Sequence, residues 1–121
     1  MMAQSDEVWP TELRVREGGS LLAVSFEDGS RFDLPAEYLR VESPSAEVQG
    51  HSPAERKTVA GKRNVRIAAA TPVGNYAVKL RFDDGHDSGL FTWRYLHELG
   101  VTQDAKWQAY LAALVEKKLA R

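Results

Sequence analysis

Two stretches of this chain are versions of one unit, and that fact constrains the fold more than any other. Leu22-Ala23-Val24-Ser25-Phe26-Glu27-Asp28-Gly29 leads to Tyr38-Leu39-Arg40, and Val78-Lys79-Leu80-Arg81-Phe82-Asp83-Asp84-Gly85 leads to Tyr95-Leu96-His97. Each copy reads as strand, Asp-Gly hairpin, strand, short helix. The fold class that follows is α+β, a small antiparallel sheet from two β-hairpin-helix units. The copies align with an offset of 56 residues before the turn and 57 after it. The extra length falls at His86-Asp87-Ser88-Gly89, so the second hairpin carries something the first does not.

The first unit is preceded by Leu13 and Val15 alternating with Arg14 and Arg16, a short strand closed by Gly18-Gly19. Leu22, Val24 and Phe26 then share one face, Asp28-Gly29 supplies positive dihedrals for a tight hairpin, and Phe32 and Leu34 return antiparallel. Pro35 suits the first turn of a helix over 36–40, where its missing N–H would be unpaired anyway. In the second unit Val65, Ile67 and Ala69 alternate, Thr71-Pro72-Val73-Gly74-Asn75 turns, and Tyr76, Val78, Leu80 and Phe82 share a face. Leu90-Phe91 form the return strand, and Thr92 caps a helix from Trp93 that stops at Gly100.

A C-terminal helix over 102–121 follows, with Thr102 at its N-cap and Trp107, Tyr110, Leu111, Leu114, Val115 and Leu119 at helical spacing. It provides an amphipathic cover for the sheet, with Trp107 and Tyr110 as a candidate docking or dimer surface. Residues 1–9 read as a flexible tail and 10–121 as one domain, whose long loop at 41–64 lacks apolar periodicity. That loop reads as a solvated connection or as a contact surface for anions. Arg56, Lys57, Lys62, Arg63 and Arg66 are close in sequence, but no aromatic residue is interleaved among them, which argues against nucleic acid.

Composition removes several chemistries. The 121 residues contain no cysteine, which excludes disulfides, thiolate nucleophiles and iron-sulfur ligation. A net charge of -1 gives no overall field for nucleic acid or anionic lipid. No apolar run suits a membrane span, and the first residues lack the pattern of a signal peptide, so a cytoplasmic location is expected. Gly61-Lys62 is not a nucleotide P-loop, because Arg56 and Arg63 stand where a glycine and a hydroxyl would be needed. His86-Asp87-Ser88 and His51-Ser52-Pro53 both lack the carboxylate of a non-haem iron triad.

The two Phe-x-Asp-Gly blocks, Val73-Gly74-Asn75-Tyr76, and Phe82-x-Asp84-Gly85-His86-x-x-Gly89-x-Phe91-x-Trp93-x-Tyr95-Leu96 together resemble the gamma-butyrobetaine hydroxylase N-terminal-like domain. The resemblance spans residues 10–100 and implies the free-standing bacterial form, without the iron and 2-oxoglutarate catalytic domain of the hydroxylases. It also implies a link to iron-sulfur or metabolic enzyme assembly, since a related domain is attached to ATPases of the iron-sulfur carrier kind. In the hydroxylase version a structural zinc is held by three cysteines and a histidine. By the same resemblance those positions fall at Ser43, Ser45, Val48 and His86, a degenerate site that should not bind zinc as built. Glu42, Glu47, His51 and His86 could supply a replacement set.

His86 has three readings: a hydrogen-bonded hairpin residue tying down the long loop, a metal ligand, or an acid-base group oriented by Asp84 or Asp87. Two functions are in contention. The favoured one is a non-catalytic module that docks on a protein partner through His86, Trp93, His51 and Arg63, with no cofactor. The other is a small-molecule or zinc-binding domain with a site near His86 and loop 41–64. The hairpin assignment is directly testable: Gly85→Val should cost about 2 kcal/mol, since a β-branched residue resists positive φ. An unchanged melting temperature would refute it.

Overall fold

The computed structural model describes residues 8–45, 48 and 58–121. Strands β1 (Pro10–Arg16), β2 (Leu21–Phe26) and β3 (Arg31–Pro35) form an antiparallel meander that runs into helix α1 (Ala36–Val41). Strands β4 (Ile67–Val73), β5 (Ala77–Phe82) and β6 (Asp87–Thr92) form a second meander that runs into α2 (Trp93–Val101), and α3 (Gln103–Glu116) follows. The class is α+β, with the strands in two separate three-stranded sheets rather than one continuous sheet. Both units are therefore β-β-β-α, each opening with a strand that carries a register shift, between Pro10 and Glu12 in one and between Ile67 and Ala69 in the other.

The hairpins are built alike but differ from a two-residue Asp-Gly turn. Gly29 N–H donates to Phe26 O at 3.0 Å and Phe26 N–H to Ser30 O at 2.9 Å, while Gly85 to Phe82 and Phe82 to His86 repeat the pattern at 3.0 Å each. Only the glycines have positive φ, 91° at Gly29 and 88° at Gly85. The loop is thus three residues long with glycine in the left-handed position, a turn closed by a bulge. Each aspartate accepts the N–H of the residue two further on, Ser30 at 2.9 Å and His86 at 3.0 Å. This bond is local, so the dipeptide specifies the turn in both units.

One core joins the two sheets. Leu22, Val24, Phe26, Leu34 and Leu39 from the first unit pack with Ile67, Val78, Leu80, Phe82, Phe91, Leu96 and Leu99 from the second. Above that core each unit grips the other. Tyr38 OH donates to Leu99 O at 2.7 Å, and Tyr95 OH donates to Glu42 O at 2.6 Å. Arg40 Nε reaches Asp84 Oδ2 at 2.9 Å, and His97 Nε2 lies 3.0 Å from Asp28 Oδ2. These are the same positions of the two units, each helix holding the other unit's helix end and hairpin.

Helix α3 reaches this core through Trp107, edge-on to Tyr38 at 6.3 Å. Its buried Tyr110 and Leu114 form a second cluster with Val41, against which Val59, Ala60 and Leu111 pack. Val115, read from sequence as part of the apolar stripe, is 78% exposed, since it lies about 100° around the helix from Leu114. The helix ends before 121 because Lys118 turns left-handed, φ 58°, and Leu119 N–H returns to Leu114 O at 2.8 Å. Thr102 does not cap α3 with its side chain. Its Oγ1 donates backwards to Glu98 O at 2.7 Å and joins the two helices.

Gly100 was expected to end α2, yet the helix continues through it to Val101. Its role is one of space: a Cβ there would overlap the Phe32 ring. Gly100→Ala should therefore destabilise by about 1–3 kcal/mol through overpacking. In an unobstructed helix the same change gains up to about 1 kcal/mol. Urea unfolding at unchanged m-value measures the sign, and a raised midpoint would mean that Phe32 moves aside freely.

Candidate functional site

The residue inserted in the second hairpin produces a bulge. Lys79 pairs with Leu90 but Arg81 pairs with Asp87, so Ser88 and Gly89 together oppose Leu80. Gly89 adopts φ 74°, and Ser88 Oγ accepts the Leu80 N–H at 2.9 Å, replacing the ladder bond lost at the bulge. The displaced Ser88 carbonyl is thereby free to accept from another segment, and Ser43 Oγ donates to it at 3.0 Å.

Around that bond the structure gathers Ser43, Ser45 and His86. His86 Nε2 is 3.0 Å from Ser43 Oγ and 3.4 Å from Ser45 Oγ, and the two hydroxyls are 3.3 Å apart. Ser43 has one proton. When it donates to the Ser88 carbonyl, His86 carries its hydrogen on Nε2 and donates to Ser43 Oγ. Ser43 is 0% exposed and His86 7%, so the pair is enclosed in the domain. Val48 is buried as well, and its N–H donates to Ser45 O at 3.1 Å.

Those residues do not fit a zinc ion. Two hydroxyls, a valine and one imidazole supply a single strong donor, and among the described residues no group of three or more His, Cys, Asp or Glu side chains could hold a metal. Of the replacement ligands, Glu42 is buried beside Ser43, while Glu47 and His51 lie outside the described residues. Neither aspartate proposed to orient the imidazole is bonded to the ring by its described contacts. Asp84 takes the His86 main-chain N–H, and Asp87 takes the Gly89 N–H at 3.1 Å and lies 3.5 Å from Lys79 Nζ.

Trp93 is half-buried at the N-terminus of α2, its indole N–H donating to Asn75 O at 2.8 Å. Asn75 belongs to the β4–β5 turn and His86 to the β5–β6 turn, so the two sit at opposite ends of strand β5. Arg63 is exposed, on the lining of a cleft formed by residues 61–65, 83–84 and 120–121.

At that cleft the sequence reading missed a charged network. Asp84 Oδ2 takes both Arg40 Nε at 2.9 Å and Lys62 Nζ at 2.6 Å. Burial tends to raise the Asp84 carboxyl. The bonds from Lys62, the His86 N–H and Arg40, with the Arg40 charge, outweigh it and hold the group well below the usual carboxylate range. The available signal was positional, since Arg40 and Asp84 occupy the places of His97 and Asp28 in the other copy.

A family model described as gamma-butyrobetaine hydroxylase-like, N-terminal, matches residues 13–97. Two solution NMR structures are similar to the whole chain. One is 49% identical with a TM-score of 0.82, covering 100% of this chain and 90% of that one. The other is 46% identical with a TM-score of 0.81, covering 94% and 90%. A crystal structure of a protein of unknown function from Acidithiobacillus ferrooxidans, of the DUF971 family, is 40% identical with a TM-score of 0.62, covering 75% of this chain and 91% of that one. No curated protein matches.

The Asp84 network makes a prediction about acid stability. A carboxyl held low in the folded state contributes fully above its unfolded value near 3.8, and that contribution is lost as pH falls towards the folded value. Asp84→Asn should cost about 2 kcal/mol at neutral pH. The difference between parent and variant should shrink below pH 3.8. An equal difference at pH 7 and at about pH 2.5 would show that the ionised carboxylate is not what holds Arg40 and Lys62.

Proposed function

This chain belongs to the gamma-butyrobetaine hydroxylase-like, N-terminal family, and we propose that it acts as a non-catalytic protein-interaction module presenting an aromatic corner on a rigid scaffold. The observation that carries this reading is Tyr76, 49% exposed on the β4–β5 turn beside Trp93. Trp93 N–H donates to Tyr76 O at 3.2 Å, and the Trp93 indole N–H to the neighbouring Asn75 O. Gly74, with φ 55°, leaves room for the Tyr76 ring, whose nearest carbons lie 3.1 Å from where a Cβ would stand. A large amphipathic ring on a fixed turn loses little entropy on docking, which is why such residues anchor interfaces.

The enclosed Ser43-Ser45-His86 cluster supports a structural role for the residues that looked chemically active. A serine hydroxyl with no exposed surface offers a substrate no approach in this arrangement. The cluster ties the segment after α1 to the second hairpin, where the hydroxylase version uses zinc. The matched main-chain bonds of the two units support reading the domain as an internal repeat. A partner in iron-sulfur or metabolic enzyme assembly rests on family analogy alone. Among the described residues no helix is long and apolar enough to cross a membrane.

Tyr76→Ser tests the corner without touching the core. The parent, immobilised and exposed to a native extract, should retain a specific protein whose recovery falls about ten-fold with the variant, the effect of losing roughly 1.4 kcal/mol. Circular dichroism and melting temperature should stay the same. Equal recovery of that protein with both would remove Tyr76 from the interface and this reading with it.

A further inference from the structure

At the other end of β5 from the aromatic corner, the cleft built on residues 61–65, 83–84 and 120–121 has a volume of about 600 Å³. That size suits a small molecule. Lys62, Arg63 and Arg121 line it, together with Asn64, Asp83 and Asp84. The acidic residues are already engaged. Asp84 is held by Arg40 and Lys62, and Asp83 Oδ1 takes the Arg66 N–H at 3.0 Å. Arg121 is committed to Glu37 through two bonds of 3.1 and 2.8 Å, with its guanidinium 5.3 Å from the Trp107 ring centre. These contacts fix the cation in place on the rim.

Two features exceed what this internal pairing needs. Arg40, joined to the cleft wall through Asp84, has a side chain only 7% exposed, and its Nη1 is buried with no hydrogen-bond partner among the described residues. A guanidinium stays charged at all accessible pH, and Asp84 is shared between Arg40 and Lys62, so among the described residues this trio holds two cations against one carboxylate. Second, the main-chain N–H groups of Lys62, Arg63 and Asn64 donate to no described residue, whereas those of Gly61 and Val65 on either side do. Successive main-chain N–H groups after a left-handed glycine, here Gly61 at φ 74°, are suited to an oxyanion.

We propose that this cleft binds a small molecule through a phosphate group, held by the main chain of residues 62–64 and the Arg63 side chain, with Lys62 and Arg121 at the sides. Arg40 is a positioning residue: it fixes Asp84, which in turn fixes Lys62. The proposal is independent of the docking reading, since the two surfaces lie at opposite ends of β5 and share no residue.

The test is a titration of the 15N-labelled protein with inorganic phosphate and with glucose 6-phosphate at constant ionic strength, followed by amide chemical shifts. Both should give saturable shifts centred on Lys62, Arg63 and Asn64. Glucose 6-phosphate should bind about ten-fold tighter, because its sugar fills the cleft that phosphate alone leaves open. Arg63→Ala, an exposed change outside the core, should weaken both about ten-fold with the rest of the spectrum unchanged. Shifts that do not saturate, that spread over all basic residues, or that chloride reproduces would overturn the proposal. So would glucose 6-phosphate binding no tighter than phosphate, or Arg63→Ala binding as well as the parent.

Discussion

Two tyrosine hydroxyls set the relation of everything else. Tyr38 and Tyr95 each cross to the other unit's helix and donate to a carbonyl at its C-terminal end, at 2.7 and 2.6 Å. Glu42 and Leu99 are both buried, so each phenol places a hydrogen bond on a carbonyl that water does not reach. The two sheets share no strand pairing. Their alignment rests on side chains, and the tyrosine bonds define it at the helix ends while Arg40 with Asp84 and His97 with Asp28 define it at the hairpins.

The two units differ most at their hairpins. Asp28 pairs with His97 at the surface, and its carboxyl falls to about 2, first through the Ser30 hydroxyl and N–H and then through the histidine. Asp84 meets a buried arginine and a lysine instead. The second hairpin further carries the bulge that exposes the Ser88 carbonyl to Ser43. One inserted residue thus separates a simple turn from one that holds a distant segment.

The elements were largely legible because their signals are local. Asp-Gly with alternating apolar residues marks a hairpin, Thr92 before Trp93 marks a cap, and both lie where expected. Two misreadings concern residues whose expected role at a helix end gave way to another contact, one distant and one local. Gly100 looked like a helix stop but yields space to Phe32, and Thr102 looked like a cap but bonds backwards to Glu98. At the site, the order Ser43, Ser45, His86 was readable through family resemblance. The Arg40-Asp84-Lys62 network was not, since no local pattern links residues 44 positions apart.

The sequence by itself determined two similar units, their turns, their helix starts and the absence of thiolate chemistry. These follow from backbone preferences and side-chain types that act within a few residues. Only the tertiary structure decided that the strands form two sheets, that His86 is enclosed while Tyr76 is presented, and that four segments meet around Asp84. Those outcomes depend on which surfaces are buried against each other. Burial is a property of the packed chain, not of any stretch within it.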